Sequence, residues 1–184
     1  DWGLRQIAKR VRSGDSANAE ARAARIYWTK LFPEDGAFVR SDSEDARNHQ
    51  LDYGYAVLRA TVTRALCASG LHPGFSLKHC SPYNNFPLAD DLMEPFRPFI
   101  DIAVRERCDS AAPAGLDSTG KRRLLETMTM HYSDGEESRT LFDWIQKAAQ
   151  SLAWCILNAS PDLELRHLAP FAEDESKERV GNDV

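Results

Sequence analysis

Apolar residues recur at helical spacing along most of the chain, and runs that alternate apolar and polar positions are scarce. The pattern predicts an all-α fold, a helical bundle built around one long central helix. Residues 1 to 13 read as the end of a helix, with Leu4, Ile7, Ala8 and Val11 in one stripe, closed by Ser13-Gly14. A second helix begins after Asp15 or Ser16 and runs through EARAARIYWTKLF until Pro33 stops it. Residues 34 to 47 are polar and turn-rich, and predict a mobile loop. From Leu51 to Ser69, Leu51, Tyr55, Leu58, Val62 and Leu66 form a stripe that Ala56, Val57 and Ala60 widen, with Gly70 as the C-cap. This helix is assigned to the centre of the bundle.

His72-Pro73-Gly74 turns the chain, residues 75 to 87 lack periodicity, and a helix starts near Leu88. Pro95 removes a backbone donor and crowds the carbonyl of Asp91, so this helix must kink or break there. After a small-residue loop at 110 to 118, another amphipathic helix spans Thr119 to Tyr132. HYSDGEESR reads as a turn, and TLFDWIQKAAQSLAWCIL as the last helix, with Leu141, Trp144, Ile145, Ala148, Leu152 and Ile156 inward. The segment after Pro170 is polar and expected to be disordered.

With 184 residues, 42% of them hydrophobic, the chain fits one globular domain. It opens on Asp1 and enters at once on a helix-like pattern, as expected of a piece of a longer chain. No apolar run approaches the ~20 residues of a bilayer span, which predicts a cytoplasmic protein with no membrane partner. Cys67, Cys80, Cys108 and Cys155 include no CxxC pair. The four read as reduced core thiols, with Cys67 and Cys155 falling in apolar helical patterns. Residues 172 to 184 carry five acids against two bases, so three of the five net negative charges lie there. The rest is near neutral and leaves room for a local basic face.

The chemistry concentrates in ADDLMEPFRPF, residues 89 to 99. Glu94 shares a helical face with Asp90 or Asp91, and like charges at that spacing repel unless a cation sits between them. For Asp90 and Asp91 a solvated first turn of a helix is explanation enough. Glu94 lies between Met93 and Pro95 among Phe96, Phe99 and Ile100, where full solvation is harder to arrange. His79 precedes this helix, although a lone histidine beside Lys78 and Cys80 is more often a loop residue bonded to backbone. Glu20, at the start of an alanine-rich helix, is commonly a dipole partner. Taken together, two carboxylates and an imidazole suit Mg²⁺ or Mn²⁺, and such sites handle phosphodiesters.

Three ordered stretches, EARAARIYWTKLF (20 to 32), NHQLDYGYAVLRATVTRAL (48 to 66) and H-x14-E from His79 to Glu94 ending in LADDLMEPFRP, resemble the larger subunit of the CRISPR adaptation complex. This is the endonuclease-integrase that inserts new spacers, and the likeness is to its type II branch. The resemblance implies that Glu20, His79 and Glu94 hold the metal ion, with Asp91 as an accessory acid. Tyr27, Asn48, Tyr53 and Tyr55 also match family positions and read as packing. Residues 1 to 14 become the end of an inter-domain helix or linker, 15 to 170 the all-helical catalytic domain, and 171 to 184 an acidic, disordered tail.

The family also implies a preceding β-rich domain through which the protein forms a homodimer, and a smaller subunit sandwiched between two such dimers. Its substrate is double-stranded DNA, both protospacer and CRISPR repeat. Arg25, Lys78 and Arg97 are the candidate phosphate contacts, with Arg22 facing elsewhere. Cys80-Ser81-Pro82 replaces what is often a more basic stretch in the family. Two other readings stand beside this one: a non-catalytic helical dimerisation or DNA-architectural module, and a stand-alone divalent-metal nuclease.

Overall fold

The computed structural model describes residues 3–9, 18–33, 38–42, 44–76, 83–109 and 116–170. The elements run α1 (Leu4–Ala8), α2 (Ala19–Leu31), α3 (Ala46–Ala68), α4 (Pro87–Met93), a 3-10 turn (Glu94–Phe96), α5 (Arg97–Asp109), α6 (Ser118–Thr129), β1 (His131–Ser133), β2 (Ser138–Thr140), α7 (Leu141–Asn158) and β3 (Ala169–Pro170). The protein is mostly helical, as its periodicity predicts. No helix among the described residues is long and apolar enough to cross a membrane. The expectations for Ser13-Gly14, Asp15, Ser16, Cys80 and the segment after Pro170 fall outside the described residues.

The chain divides into two compact units, residues 1–55 with 98–124, and residues 56–97 with 125–184. In the first, Leu51, Ile100, Val104 and Leu124 are buried. Trp28, Phe32 and Phe38 pack as a cluster, with Phe32 and Phe38 centroids 4.6 Å apart. The Arg47 guanidinium lies over Phe38 at 4.8 Å and chelates Asp45 through Nε at 2.9 Å. Asp45 also accepts the Arg47 backbone N–H at 2.8 Å, which satisfies an orphan donor of the first turn of α3.

α3 therefore starts at Ala46, five residues before the predicted Leu51. Its first turn is polar and carries no apolar signal, but Asn48 and Gln50 are buried. Asn48 Nδ2 donates to the carbonyls of Val39 and Asp42, each at 2.8 Å, so the described part of the predicted mobile loop is tied down onto α3. Asn48 is thus a hydrogen-bonding staple for the loop.

The second unit buries Leu58, Val62 and Leu66 of α3, Leu88, Leu92, Met93 and Phe96, and Leu141, Trp144, Ile145, Ala148 and Leu152 of α7. α3 is not apolar all round: Ala56, Ala60 and Cys67 are exposed, which corrects the widened stripe and the core assignment of Cys67, and Cys108 of α5 is exposed too, against the same core-thiol reading. Ile156 is 49% exposed and is corrected likewise, whereas Cys155 is buried. Gly70 ends α3 at φ 79°, where the Leu71 N–H reaches the Leu66 carbonyl at 2.9 Å.

The predicted turn HYSDGEESR is a hairpin. β1 pairs antiparallel with β2 (Tyr132 opposite Arg139) and with β3 (Ser133 opposite Ala169). α6 accordingly ends at Thr129 and not at Tyr132. Asp134 accepts the backbone N–H groups of Glu136 and Glu137 across the tight turn, and these bonds hold its carboxyl below the usual range. Tyr132 is buried, and its carbonyl accepts Trp144 Nε1 at 2.9 Å. The three-residue strands are too short for a period-2 pattern to stand out, and a tertiary bond to α7 secures them.

Candidate functional site

Glu20 lies in the first turn of α2 and is exposed. The helix enters through Asn18 in the left-handed conformation (φ 49°), whose carbonyl accepts the Arg22 N–H at 3.1 Å. The positive end of the helix dipole favours a carboxylate at this position. Arg25 is exposed on the same helix. Its position, five residues on, turns it well away from the Glu20 face.

His79 and Lys78 lie outside the described residues. The ends of the segment that carries them are anchored on α4. The Leu88 N–H donates to the Pro73 carbonyl at 3.0 Å, and Asn84 Nδ2 donates to Asp90 Oδ2 at 2.8 Å. Asn84 Oδ1 in turn accepts the Phe86 N–H at 2.9 Å. Asp90 Oδ1 takes Arg59 Nε of α3 at 2.7 Å, with only 21% of the Asp90 side chain exposed. Asp90 is therefore a tether, not the solvated acid of the sequence reading. Nothing near it in sequence announces Arg59, which stands 31 positions away.

Glu94 opens the 3-10 turn, and Pro95 breaks the helix where expected. Positions three apart eclipse in a 3-10 turn. Met93 and Phe96 are therefore buried together while Glu94 and Pro95 face outward. The Glu94 side chain is 57% exposed and pairs with Arg97 at 3.2 Å. This corrects the argument that its apolar neighbours deny it solvent: Met93, Phe96 and Ile100 are buried, and Glu94 is left out with Pro95. Asp91 is half-buried on α4.

Glu20 belongs to the first unit, and Asp91, Glu94 and Arg97 to the second. Among the described residues no three His, Cys, Asp or Glu side chains form a group able to hold a metal ion. The donor chemistry nevertheless fits a hard divalent cation. Glu94 is an accessible carboxylate that already accepts a guanidinium, and Glu20 is an accessible carboxylate on a helix end.

A cluster in the first unit escaped the sequence reading. Asp101 of α5 is 2% exposed. Its Oδ2 accepts the Tyr27 hydroxyl and its Oδ1 the Tyr55 hydroxyl, each at 2.5 Å. Burial first, and the Asp101 carboxylate second, push the Tyr27 phenol above its ordinary value. The signal available in the sequence was an acid beside Ile100 and Val104 on the inward face of a helix, where an unpaired carboxylate does not stay.

The profile of the family described as CRISPR associated protein Cas1 matches residues 4–112. The CRISPR-associated endonuclease Cas1 of Neisseria meningitidis serogroup C is 44% identical over 172 residues, which are 92% of this chain and 56% of that protein. CRISPR-associated endonuclease Cas1 2 of Pyrobaculum aerophilum is 28% identical over 82% of this chain and 51% of its own length. A casposase solved bound to its integration product superposes with TM-score 0.67 at 25% identity, covering 83% of this chain and 53% of that one.

The helical fold is thus one that a casposase, solved bound to an integration product, also has. The chain belongs to the CRISPR associated protein Cas1 family. It spans about half the length of the curated relatives it matches.

Proposed function

We propose that this chain is the catalytic domain of a CRISPR adaptation endonuclease-integrase, joining the 3'-hydroxyl of a short protospacer duplex to a phosphodiester at a CRISPR repeat. In this reading residues 15 to 170 are that domain, residues 1 to 14 the end of an inter-domain helix or linker, and residues 171 to 184 an acidic tail. The observation that carries the reading is Glu94, an exposed carboxylate on a turn whose flanking side chains, Met93 and Phe96, are locked in the core. Membership of the family, the endonuclease names of the relatives and the integration product bound to the casposase support it.

Glu20, His79 and Glu94 would hold one Mg²⁺ or Mn²⁺, with Asp91 as an accessory acid. When bound, such an ion supplies Lewis-acid polarisation of a phosphoryl oxygen and neutralises charge in the transition state. The chain's own part is positioning. The carboxylates of Glu20 and Glu94 would supply the negative charge that a divalent cation requires. Arg97, paired with Glu94 in the free protein, then turns to the incoming phosphate, and Arg25 and Lys78 add backbone contacts.

The partners in this reading are double-stranded DNA, a second copy of the chain and the smaller adaptation subunit, and the compartment is the cytoplasm. The test is strand transfer of a short duplex into a repeat-bearing plasmid with Mn²⁺. It is run on the chain joined to the β-rich domain that the family resemblance implies, with the smaller subunit present. Glu94→Ala should lower product by at least about a hundredfold. Equal product from Glu94→Ala and the parent refutes the assignment and leaves the non-catalytic helical module. Nicking without strand transfer favours the stand-alone nuclease.

A further inference from the structure

We propose that Asp101 is a positioning residue for Glu20, acting through Tyr27. The inference rests on the metal-site reading of the proposed function. Glu20 and Tyr27 are seven residues apart on α2, so they project within about 20° of the same face, about 10 Å apart along the axis. Any roll of α2 that swings Tyr27 swings Glu20 with it.

Two groups of α5 oppose that roll. Asp101 accepts the Tyr27 hydroxyl at 2.5 Å, and Arg105 donates to the carbonyl of Leu31 in the last turn of α2. The second contact also places a cation at the negative end of the helix dipole. Tyr55 takes the other oxygen of Asp101, at 2.5 Å, and so anchors the carboxylate to α3. A carboxylate with 2% exposure cannot trade these hydroxyls for water, so releasing Tyr27 costs a buried hydrogen bond to a charged acceptor. The two tyrosines differ in what they hold. Tyr27 links Asp101 to the helix of Glu20, whereas Tyr55 links it to α3.

That asymmetry gives the experiment. Mn²⁺ alone is titrated into the parent chain and into Glu20→Gln, Tyr27→Phe and Tyr55→Phe, with free Mn²⁺ read by electron paramagnetic resonance. Thermal melts confirm that each variant is folded. Tyr27→Phe should weaken Mn²⁺ binding about tenfold, as loss of an orienting partner does at other metal sites. Tyr55→Phe removes a bond from the same carboxylate and should stay within about twofold of the parent while its melting temperature falls comparably.

Hydrogen exchange at the Arg22 amide supplies a second readout, and should rise in Tyr27→Phe only. Equal weakening in both tyrosine variants, or an unchanged Tyr27→Phe beside a Glu20→Gln that has lost binding, overturns the positioning role. A parent that takes up no Mn²⁺ in the millimolar range, or a Glu20→Gln that binds like the parent, overturns the metal-site reading and this inference with it.

Discussion

Gly54 sits in α3 where a side chain has no room. A Cβ built on it would lie 2.4 Å from Cγ2 of Ile100 and 3.6 Å from its Cβ and Cδ1. Ile100 is fully buried, and its β-branch leaves χ1 little freedom to move the methyl aside. In an unconstrained helix Gly→Ala stabilises by about 1 kcal/mol. In Gly54→Ala the contact falls roughly 1 Å short of ordinary packing distance, and overpacking of this kind costs about 1–3 kcal/mol, with the upper part of the range expected against a β-branched neighbour.

The clash should therefore outweigh the propensity gain, with a net loss of about 1–2 kcal/mol and a fall in Tm of about 2–8 °C. The assay is a thermal melt by circular dichroism, paired with urea unfolding. The double variant Gly54→Ala/Ile100→Leu removes Cγ2 and should recover most of the loss. A Gly54→Ala protein as stable as the parent, or more so, would refute the close approach of α3 and α5 on which the argument depends.

Two other predictions concern the tethers. Asp90→Ala releases Arg59 and Asn84, and should cost about 1–2 kcal/mol while speeding exchange of the Phe86 amide that Asn84 protects. Arg59→Ala should be non-additive with it in a double-mutant cycle. Because the Tyr27 phenol is raised in the folded protein, its contribution to stability is fully present below the unfolded value of about 10 and is lost as pH rises beyond it. Urea midpoints between pH 9 and 11 should accordingly fall less steeply in Tyr27→Phe than in the parent, and parallel slopes would contradict the cause assigned to the shift.

The amino-acid sequence by itself determined the helical class, the helix stops at Pro33, Gly70 and Pro95, and the buried stripe of Leu51, Leu58, Val62 and Leu66. It also carried the ordered motifs that mark the family. Each of these is written within a few residues: a missing N–H, a positive φ, or a repeat near 3.6.

Only the tertiary structure decided which polar groups are spent on the scaffold and which face solvent. Asp101 is buried because hydroxyls from 74 and 46 positions away reach it, Asp90 is tethered by Arg59, and Asn48 holds the carbonyls of Val39 and Asp42 in the stretch that looked mobile. Glu94 is turned outward because Met93 and Phe96 take the inward side of the 3-10 turn. A buried polar group is stable only when its partner arrives with it, and that partner's distance along the chain leaves no local trace.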